Sequence, residues 1–393
     1  MTERIKNRWD GAALYPSGPY SGTTTRTEPA TKLVFPGEPY PAQHENWFKY
    51  QSGLDSIRRH YRAALNGFHT AAAASQPTGL SPCVDYGGFL CSDATQVCHA
   101  RSELIGTWTK IAANGVDCTA TWSSPGVKAY AFYSVASGVS KKYIDTAANA
   151  IATLANIDVA PRGVAQHSST VLVIGTEAAA LKCYTGSGTT WSALGNPGST
   201  TITDPQTLVC SQKSYDYGSV IGPVAIIPRG AASGTDDYIY STALASLVKG
   251  SKTGLTGTYV GCQYDVTRDV WVMAMQSGSD ITFYECSTPA GGWTDTGISL
   301  PDTANAVDNQ FLIVDGVYII CLPSGGVATS SFASAFDKPG VTVLFSFDQG
   351  ATWEQSNASL GKPSGTGTLQ MVAAPDRIAL INEVGVCMSG ALR

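Results

Sequence analysis

The sequence predicts an all-β fold, a β-propeller of about six blades, preceded by an extended arm and one amphipathic helix. Three observations support this prediction: a turn motif at residues 346–353, repeats of two strands and a turn that end in tryptophan, and the composition. Of the 393 residues 41 are Gly, and only 14% are charged, which is typical of a turn-rich β-protein. One propeller of roughly 300 residues with an N-terminal appendage accounts for this length.

Residues 1–43 are predicted to form an extended docking arm. The segment contains six prolines and runs of Ser, Gly and Thr, and such a composition cannot build a hydrophobic core. It is nevertheless richer in aromatic side chains than a plain linker, with Trp9, Tyr15, Tyr20, Phe35 and Tyr40. We expect these side chains to dock on a partner, and a tail that docks nowhere is the alternative.

Residues 44–75 are predicted to hold one amphipathic helix that runs to about Phe68. Apolar and aromatic residues recur three or four positions apart, which places them on one face of a helix. These residues are Trp47, Tyr50, Leu54, Ile57, Tyr61, Ala64 and Phe68. The stripe is interpreted either as a seam for self-association and assembly or as a face that packs on the chain's own propeller.

Residues 76–393 are predicted to form the propeller. A buried apolar run, an alternating run and a tryptophan recur in this order. The copies are 169–175, 180–184 and Trp191; 270–275, 281–286 and Trp293; and 311–321, 341–346 and Trp353. Repeats of this kind indicate radial blades that bury their faces against one another. Because their spacing is irregular, five, six and seven blades all stay open.

The most informative motif is Ser346-Phe-Asp-Gln-Gly-Ala-Thr-Trp353. Asp348 can accept hydrogen bonds from nearby backbone N–H groups, Gly350 can supply a positive φ, and Trp353 can pack between blades. With Ser346, Asp348, Gly350, Thr352 and Trp353 in place, the string resembles the Asp-box, a turn between the outer strands of sialidase-type β-propellers. In those families the box lies away from the catalytic pocket, so the resemblance implies a fold rather than an activity.

Catalytic residues are not predicted. A sialidase needs three arginines around a carboxylate, whereas the arginines after residue 150 are Arg162, Arg229, Arg268, Arg377 and Arg393, without the Arg-Ile-Pro motif of true sialidases. Motifs of serine hydrolases, zinc proteases and phosphate-binding loops are absent as well. The acidic residues Asp265 and Asp269 lie in a turn-like context and are expected to be solvated. We predict no enzyme activity and no cofactor.

The ten cysteines are predicted to be buried free thiols rather than disulfides, as at Cys183, Cys286, Cys321 and Cys387. A local group contains Cys83, Cys91, Cys98, His99 and Cys118, but its spacings do not match a structural zinc site, so no metal is predicted. The beginning of the chain has no secretory segment, and no run approaches 18 apolar residues, which predicts cytoplasmic synthesis without membrane insertion.

The net charge of -5 gives no reason to expect a nucleic-acid partner. Residues 1–75 carry nine Lys or Arg and six Asp or Glu, a net +3, which leaves -8 for the rest. A mildly basic arm on an acidic body suits protein docking.

The segment from Phe35 to Trp47, Phe-Pro-Gly-Glu-Pro-Tyr-Pro-Ala-Gln-His-Glu-Asn-Trp, resembles N-terminal segments of virion proteins from tailed bacteriophages. Such segments commonly precede a short helix and a β-rich body in tail, nozzle and fibre components. The resemblance implies a structural protein of the virion tail that is made in the host cytoplasm. It also implies docking through the arm onto other tail or adaptor proteins and assembly into a homo-oligomeric ring.

A carbohydrate-binding propeller is the alternative function. Tyrosines on propeller loops can stack on sugar faces, and Tyr238 and Tyr240 are the candidate contacts to a host surface glycan. A sialidase-like hydrolase is the third alternative.

Overall fold

A computed structural model describes the chain in these segments: 56–66, 68–71, 77–83, 88–93, 96–101, 109–113, 117–119, 130–134, 141–145, 150–153, 160–167, 170–177, 180–187, 190–194, 211–212, 225–227, 239–241, 248–249, 254–265, 267–287, 292–301, 310–322, 342–357, 370–373, 377–382 and 385–392. The chain divides into two compact units, Met1–Ala64 and Leu65–Arg393. The predicted arm, residues 1–43, lies outside the described segments.

Within the described segments, one helix, α1, covers residues 56–66. Leu65 and Asn66, its last two residues, belong to the second unit. The last described helical residue, Asn66, lies close to Phe68, where the sequence predicts the end of the helix. In the sequence Gly67 follows directly, and glycine commonly follows the last turn of a helix. No helix in the described segments is long and apolar enough to cross a bilayer.

The second unit is built from antiparallel strands. In chain order they are β1 (His69–Ala71), β2 (Pro77–Cys83), β3 (Gly88–Asp93), β4 (Gln96–Arg101), β5 (Thr109–Ala113), β6 (Asp117–Thr119), β7 (Tyr130–Ser134), β8 (Lys141–Asp145), β9 (Ala150–Thr153), β10 (Ala160–His167), β11 (Thr170–Glu177), β12 (Ala180–Ser187), β13 (Thr190–Leu194), β14 (Ser211–Gln212), β15 (Ala225–Ile227), β16 (Ile239–Ser241), β17 (Val248–Lys249), β18 (Thr258–Asp265), β19 (Val270–Ser277), β20 (Asp280–Cys286), β21 (Thr294–Leu300), β22 (Gln310–Val314), β23 (Val317–Leu322), β24 (Thr342–Ser346), β25 (Glu354–Gln355), β26 (Gln370–Ala373), β27 (Ile378–Asn382) and β28 (Gly385–Met388).

These described strands form seven four-stranded sheets, which are the blades of a β-propeller. Blades one to six each contain four consecutive strands, from β2–β5 to β22–β25, and blade seven contains β26–β28 together with β1. The predicted β-propeller is thereby confirmed, and its seven blades lie at the upper end of the range that the sequence left open. The three repeats predicted from the sequence lie in blades three, five and six, and the other four blades were not identified individually.

The inner strands of neighbouring blades contact one another around the ring. Contacts join β2 to β6, β6 to β10, β14 to β18, β18 to β22, β22 to β26 and β26 to β2. Burial is highest in the middle of a blade: every residue of β23 is buried, whereas the outermost strand of blade five, β21, is buried only at Leu300. This gradient is expected for sheets that pack face to face around an axis.

The hydrophobic core lies between blades. One cluster combines Val272 and Phe283 of blade five with Phe311, Ile320 and Leu344 of blade six. A second cluster combines residues of blades one and seven, namely Leu80, Phe89, Cys91, Ala379, Val386 and Met388. Blade five is therefore covered by blade six, and blade one by blade seven, which joins the first blade to the last.

The ring is closed by the first strand of the chain. His69 pairs with Met388, Thr70 with Cys387 and Ala71 with Val386, so that β1 becomes the outermost strand of blade seven. The predicted propeller boundary at residue 76 is therefore wrong, because the propeller also includes residues 69–71. A strand of three residues has too little alternation to be recognised in sequence.

Because β1 closes the ring, we expect the stability of a truncated chain to depend on whether it keeps β1. A chain of residues 65–393 keeps β1, whereas a chain of residues 76–393 loses it. The shorter chain should have a free energy of unfolding about 2–4 kcal/mol lower, since it loses a few hydrogen bonds and the cover of one strand edge. Urea unfolding followed by circular dichroism measures the difference, and equal midpoints for the two chains would contradict it.

Candidate functional site at the turns of blades five and six

The turn Ser346–Trp353 connects β24 to β25, the third and outermost strands of blade six. The Asp348 carboxylate accepts hydrogen bonds from the Thr352 backbone N–H at 2.8 Å and from the Thr352 hydroxyl at 2.6 Å. The Ser346 hydroxyl donates to Asp348 Oδ1 at 2.7 Å and accepts from the Gly350 N–H at 2.7 Å. The polar side chains of the motif thus bond to one another and to the turn's own backbone.

The backbone of this turn requires glycine at position 350. Gln349 and Gly350 have φ angles of 63° and 95°, in the left-handed region that most side chains avoid. A Cβ atom on Gly350 would also lie 3.2 Å from Ile298 Cγ2 and 3.3 Å from Phe283 Cε2, both in blade five. A side chain at this position would therefore be strained by the backbone and would press against the neighbouring blade.

The pKa of Asp348 lies below its ordinary value. Partial burial acts to raise this pKa, but hydrogen bonds from Thr352, from Ser346 and from the backbone N–H of Asp348 itself outweigh it. Because all of these bonds favour the charged form, the carboxylate is ionised at neutral pH. Its hydrogen bonds are made within the turn, so the carboxylate stabilises the turn.

Trp353 packs into the contact between the two blades. Its ring stacks on Phe283 of blade five, with centroids 5.8 Å apart and an angle of 21° between the planes. Phe283 in turn contacts Phe311 at 5.5 Å and Tyr318 at 5.8 Å, both in blade six. The turn thereby positions one member of an aromatic cluster that holds the blades together.

The weaker copies of the motif occupy the corresponding places in other blades. Trp191 lies in β13, the outermost strand of blade three, and Trp293 directly precedes β21, the outermost strand of blade five. Both side chains are buried, as is Trp353. Tryptophan therefore recurs where the third strand of a blade leads into the outermost one.

A second polar cluster, the Arg268 cluster, links the same two blades. Arg268 lies in the turn between β18 and β19, and its Nε donates to Asp265 Oδ2 at 2.8 Å. Its two terminal nitrogens donate to the Glu285 carboxylate in blade five and to the Tyr318 hydroxyl in blade six. The guanidinium carbon also lies 5.9 Å from the centroid of the Tyr318 ring. One side chain therefore connects the first and third strands of blade five to the second strand of blade six.

Asp265 is completely buried, which corrects the expectation of a solvated loop carboxylate. Besides Arg268, it accepts hydrogen bonds from the Thr267 N–H at 3.0 Å and from the Thr267 hydroxyl at 2.6 Å. A charged carboxylate can be buried when it is paired and hydrogen-bonded in this way. The local signal was present as an Asp-x-Thr-Arg turn, but the partners Glu285 and Tyr318 are distant in sequence.

The Tyr318 hydroxyl stays protonated in this cluster. Burial raises the pKa of Tyr318 well above its ordinary value, although the positive charge of Arg268 acts in the opposite direction. Tyr318 therefore offers Arg268 a neutral hydroxyl oxygen, while Asp265 and Glu285 supply the negative charge.

The structure places the two candidate arginines whose side chains it describes in different blades. All three guanidinium nitrogens of Arg268 donate within its cluster, and Arg377 donates to the Ser389 carbonyl at 2.8 Å in blade seven. Arg162 lies in β10 without a described side chain, and Arg229 and Arg393 lie outside the described segments. Arg268 and Arg377 thus bond to the protein itself.

The candidate glycan contacts are only partly covered by the structure. Tyr240 lies in β16, the third strand of blade four, opposite Ile226 on β15 and Val248 on β17. Its side chain is not described, and Tyr238 lies outside the described segments.

The predicted stripe of the helix is described from Ile57 onward. Tyr61 and Ala64 are buried, Ile57 and Phe68 are half-buried, and Arg58 and Arg59 are exposed. Trp47, Tyr50 and Leu54 lie outside the described segments.

Buried free thiols are confirmed at Cys183, Cys286, Cys321 and Cys387. Burial raises the pKa of Cys286 to about 12 and the pKa of Cys321 further still, so these thiols stay protonated at neutral pH and act as apolar core residues. Among the described residues, no three side chains of His, Cys, Asp or Glu are grouped so that they could hold a metal ion.

Solved β-propellers resemble this chain in fold. YCF48 from Cyanidioschyzon merolae is similar over 83% of this chain and 98% of its own, with a TM-score of 0.52 and 10% identity. A chain in the crystal structure of a mitotic checkpoint complex is similar over 84% of this chain and 95% of its own, with a TM-score of 0.54 and 8% identity. No protein-family model matches the chain, and no curated protein matches its sequence. At such identities the likeness shows the β-propeller fold alone.

Replacing Asp348 by Ala should lower the free energy of unfolding by about 1–3 kcal/mol, because two hydrogen bonds from Thr352 lose their acceptor.

The folded-state pKa of Asp348 is depressed, so its ionised form stabilises the fold above the unfolded-state pKa of about 3.9. This contribution is lost as the pH falls through the folded-state pKa. Urea unfolding of the wild type and of Asp348→Asn should therefore differ at pH 7 and converge in acid.

Asp295→Ala is the matched control, because Asp295 is an exposed residue of β21 in blade five that accepts one bond, from the Gly297 N–H at 2.8 Å. It should cost less than about 1 kcal/mol. An equal cost at both positions would contradict a specific role for Asp348.

Replacing Arg268 by Met should be strongly destabilising, by about 3–5 kcal/mol, because Asp265 would remain as a buried charge without its partner. Adding Asp265→Asn should recover part of this loss, since the neutral amide removes the buried charge. A double-mutant cycle in urea measures the coupling. Arg58→Met on the exposed face of α1 is the control. If the effects of Arg268→Met and Asp265→Asn were additive, the two residues would not act as one unit.

Proposed function

We propose that this chain is a non-enzymatic structural component of a tailed-phage particle. In this proposal the propeller is a rigid platform, and the N-terminal segment docks it onto neighbouring tail or adaptor proteins. The observation that carries the proposal is the closure of the ring by β1, the strand that directly follows α1. Whatever binds residues 1–64 is thus linked through the chain to a strand built into the propeller.

The polar clusters of blades five and six support a structural role. Asp348, Asp265 and Arg268 make hydrogen bonds within turns or between blades. A catalytic constellation would need such groups to point at a substrate. In this chain these charged groups instead stabilise turns and the contact between blades.

The virion setting is supported by the resemblance of residues 35–47 to phage tail segments and by the aromatic side chains of the arm. An arm of this composition orders on a partner rather than on itself, which is a common way to join subunits of a symmetric assembly. The proposed partners are other tail or adaptor proteins and further copies of the chain in a ring. The proposed location is the virion tail, after synthesis in the host cytoplasm.

Assembly of particles with a chain that lacks residues 1–43 tests the proposal. The shortened protein should fold but be missing from purified particles, because it has lost its docking arm. Circular dichroism and urea unfolding check the fold, and quantitative mass spectrometry of the particles checks incorporation. Full copy number without the arm would refute docking through this segment.

Tyr238→Ala with Tyr240→Ala is the control that separates the alternatives. These variants should assemble normally and adsorb to host cells like the wild type. Normal assembly with lost adsorption would instead favour the carbohydrate-binding propeller. Turnover of a fluorogenic sialoside above the buffer rate would overturn the non-enzymatic assignment.

A further inference from the structure

Residues 65–71, which we call the strap, contact two blades in succession. The Leu65 carbonyl accepts a hydrogen bond from the Ser356 hydroxyl at 2.6 Å, and Asn66 Oδ1 accepts one from the Asn357 backbone N–H at 2.6 Å. Ser356 and Asn357 directly follow β25 of blade six. After Asn66 the chain reaches β1, which pairs with β28 of blade seven.

The contact between the strap and blade six gives hydrogen-bond partners to polar groups of both the strap and the blade. The last carbonyls of a helix have no partners within the helix, and the Ser356 hydroxyl supplies one to Leu65. An outermost strand leaves N–H groups unpaired along its edge, and Asn66 supplies an acceptor to Asn357. Leu65 and Ser356 are both buried, and the Ser356 N–H donates to the Val343 carbonyl at 2.8 Å. We call the contact of Leu65 and Asn66 with Ser356 and Asn357 the seat. The seat is thus fixed to the sheet of blade six.

The contact with blade seven is short. β1 contributes only three residue pairs to the ladder with β28, and so short an edge strand is marginal without further support. The seat at Leu65 and Asn66 limits how far the chain before His69 can move away. Holding one end of a short segment lowers the entropy that is lost when the other end pairs.

We propose that the strap is a conformational lock on the ring. Seating of Leu65 and Asn66 on Ser356 and Asn357 stabilises β1 in blade seven, and when this seat is lost the ring opens first between β1 and β28. The lock lies entirely within the second unit and does not depend on the identity of any docking partner. A force that pulls on the N-terminal segment acts on the seat at Leu65 and Asn66 before it acts on β1.

Hydrogen exchange of the full-length chain, followed by mass spectrometry, tests the lock. Ser356→Ala and Asn66→Ala each remove one hydrogen bond of the seat, and alanine at position 66 also favours the helix itself. The amides of β1 and β28 should exchange about five- to tenfold faster in each variant. Thr256→Val is the matched control, since it removes the hydroxyl that lies 2.8 Å from the Tyr284 hydroxyl in blade five.

A faster exchange confined to residues 354–357 would overturn the lock, because seat and strand would then open independently. An equal rise in blade five would overturn it as well, because it would indicate global destabilisation. The control should leave β1 and β28 at the rate of the wild type.

The reverse experiment uses Thr70→Pro, which disrupts β1 because proline lacks the N–H donor and restricts the backbone. Coupling between two sites is reciprocal, so residues 354–357 should exchange faster in this variant than in the wild type. Unchanged exchange there would refute the coupling even if Ser356→Ala and Asn66→Ala failed to fold.

Discussion

Contact between adjacent blades is the constraint on which the structure depends. A four-stranded antiparallel sheet has two faces, and in the described segments apolar residues of blade five pack against blade six and those of blade one against blade seven. Such an arrangement is stable only when the first and last blades also meet. The packing of Leu80 and Phe89 against Val386 and Met388 supplies that junction, and β1 then fastens blade seven with main-chain hydrogen bonds.

Polar groups reinforce the same contacts. The Ser346–Trp353 turn places Trp353 against Phe283, and Arg268 reaches from a turn of blade five to Tyr318 of blade six. A buried carboxylate such as Asp265 is costly to bury unless its partners are present. These groups therefore specify how neighbouring blades meet. In the proposed function the propeller is a platform, and the N-terminal segment that leads into β1 attaches it to its partners.

Much of the fold was predictable because it rests on short-range patterns. Alternating apolar strands and recurring tryptophans identified blades, and the motif at Ser346–Trp353 identified a turn whose hydrogen bonds join residues only two to four positions apart. Blades one, two, four and seven were not identified individually. β1 has only three residues and is recognised as a strand only through its partner β28.

Three local elements follow from the sequence: the Ser346–Trp353 turn, the amphipathic stripe of α1 and the buried thiols at Cys286 and Cys321. Each depends on neighbours along the chain or on apolar character, and these can be recognised from composition and spacing. Three other features follow from the tertiary structure: the number of blades, the use of β1 to close the ring, and the burial of Asp265. Those features depend on partners tens to hundreds of residues away, such as Met388 for His69 and Tyr318 for Arg268. Pairings over such distances leave no periodic signal in the sequence.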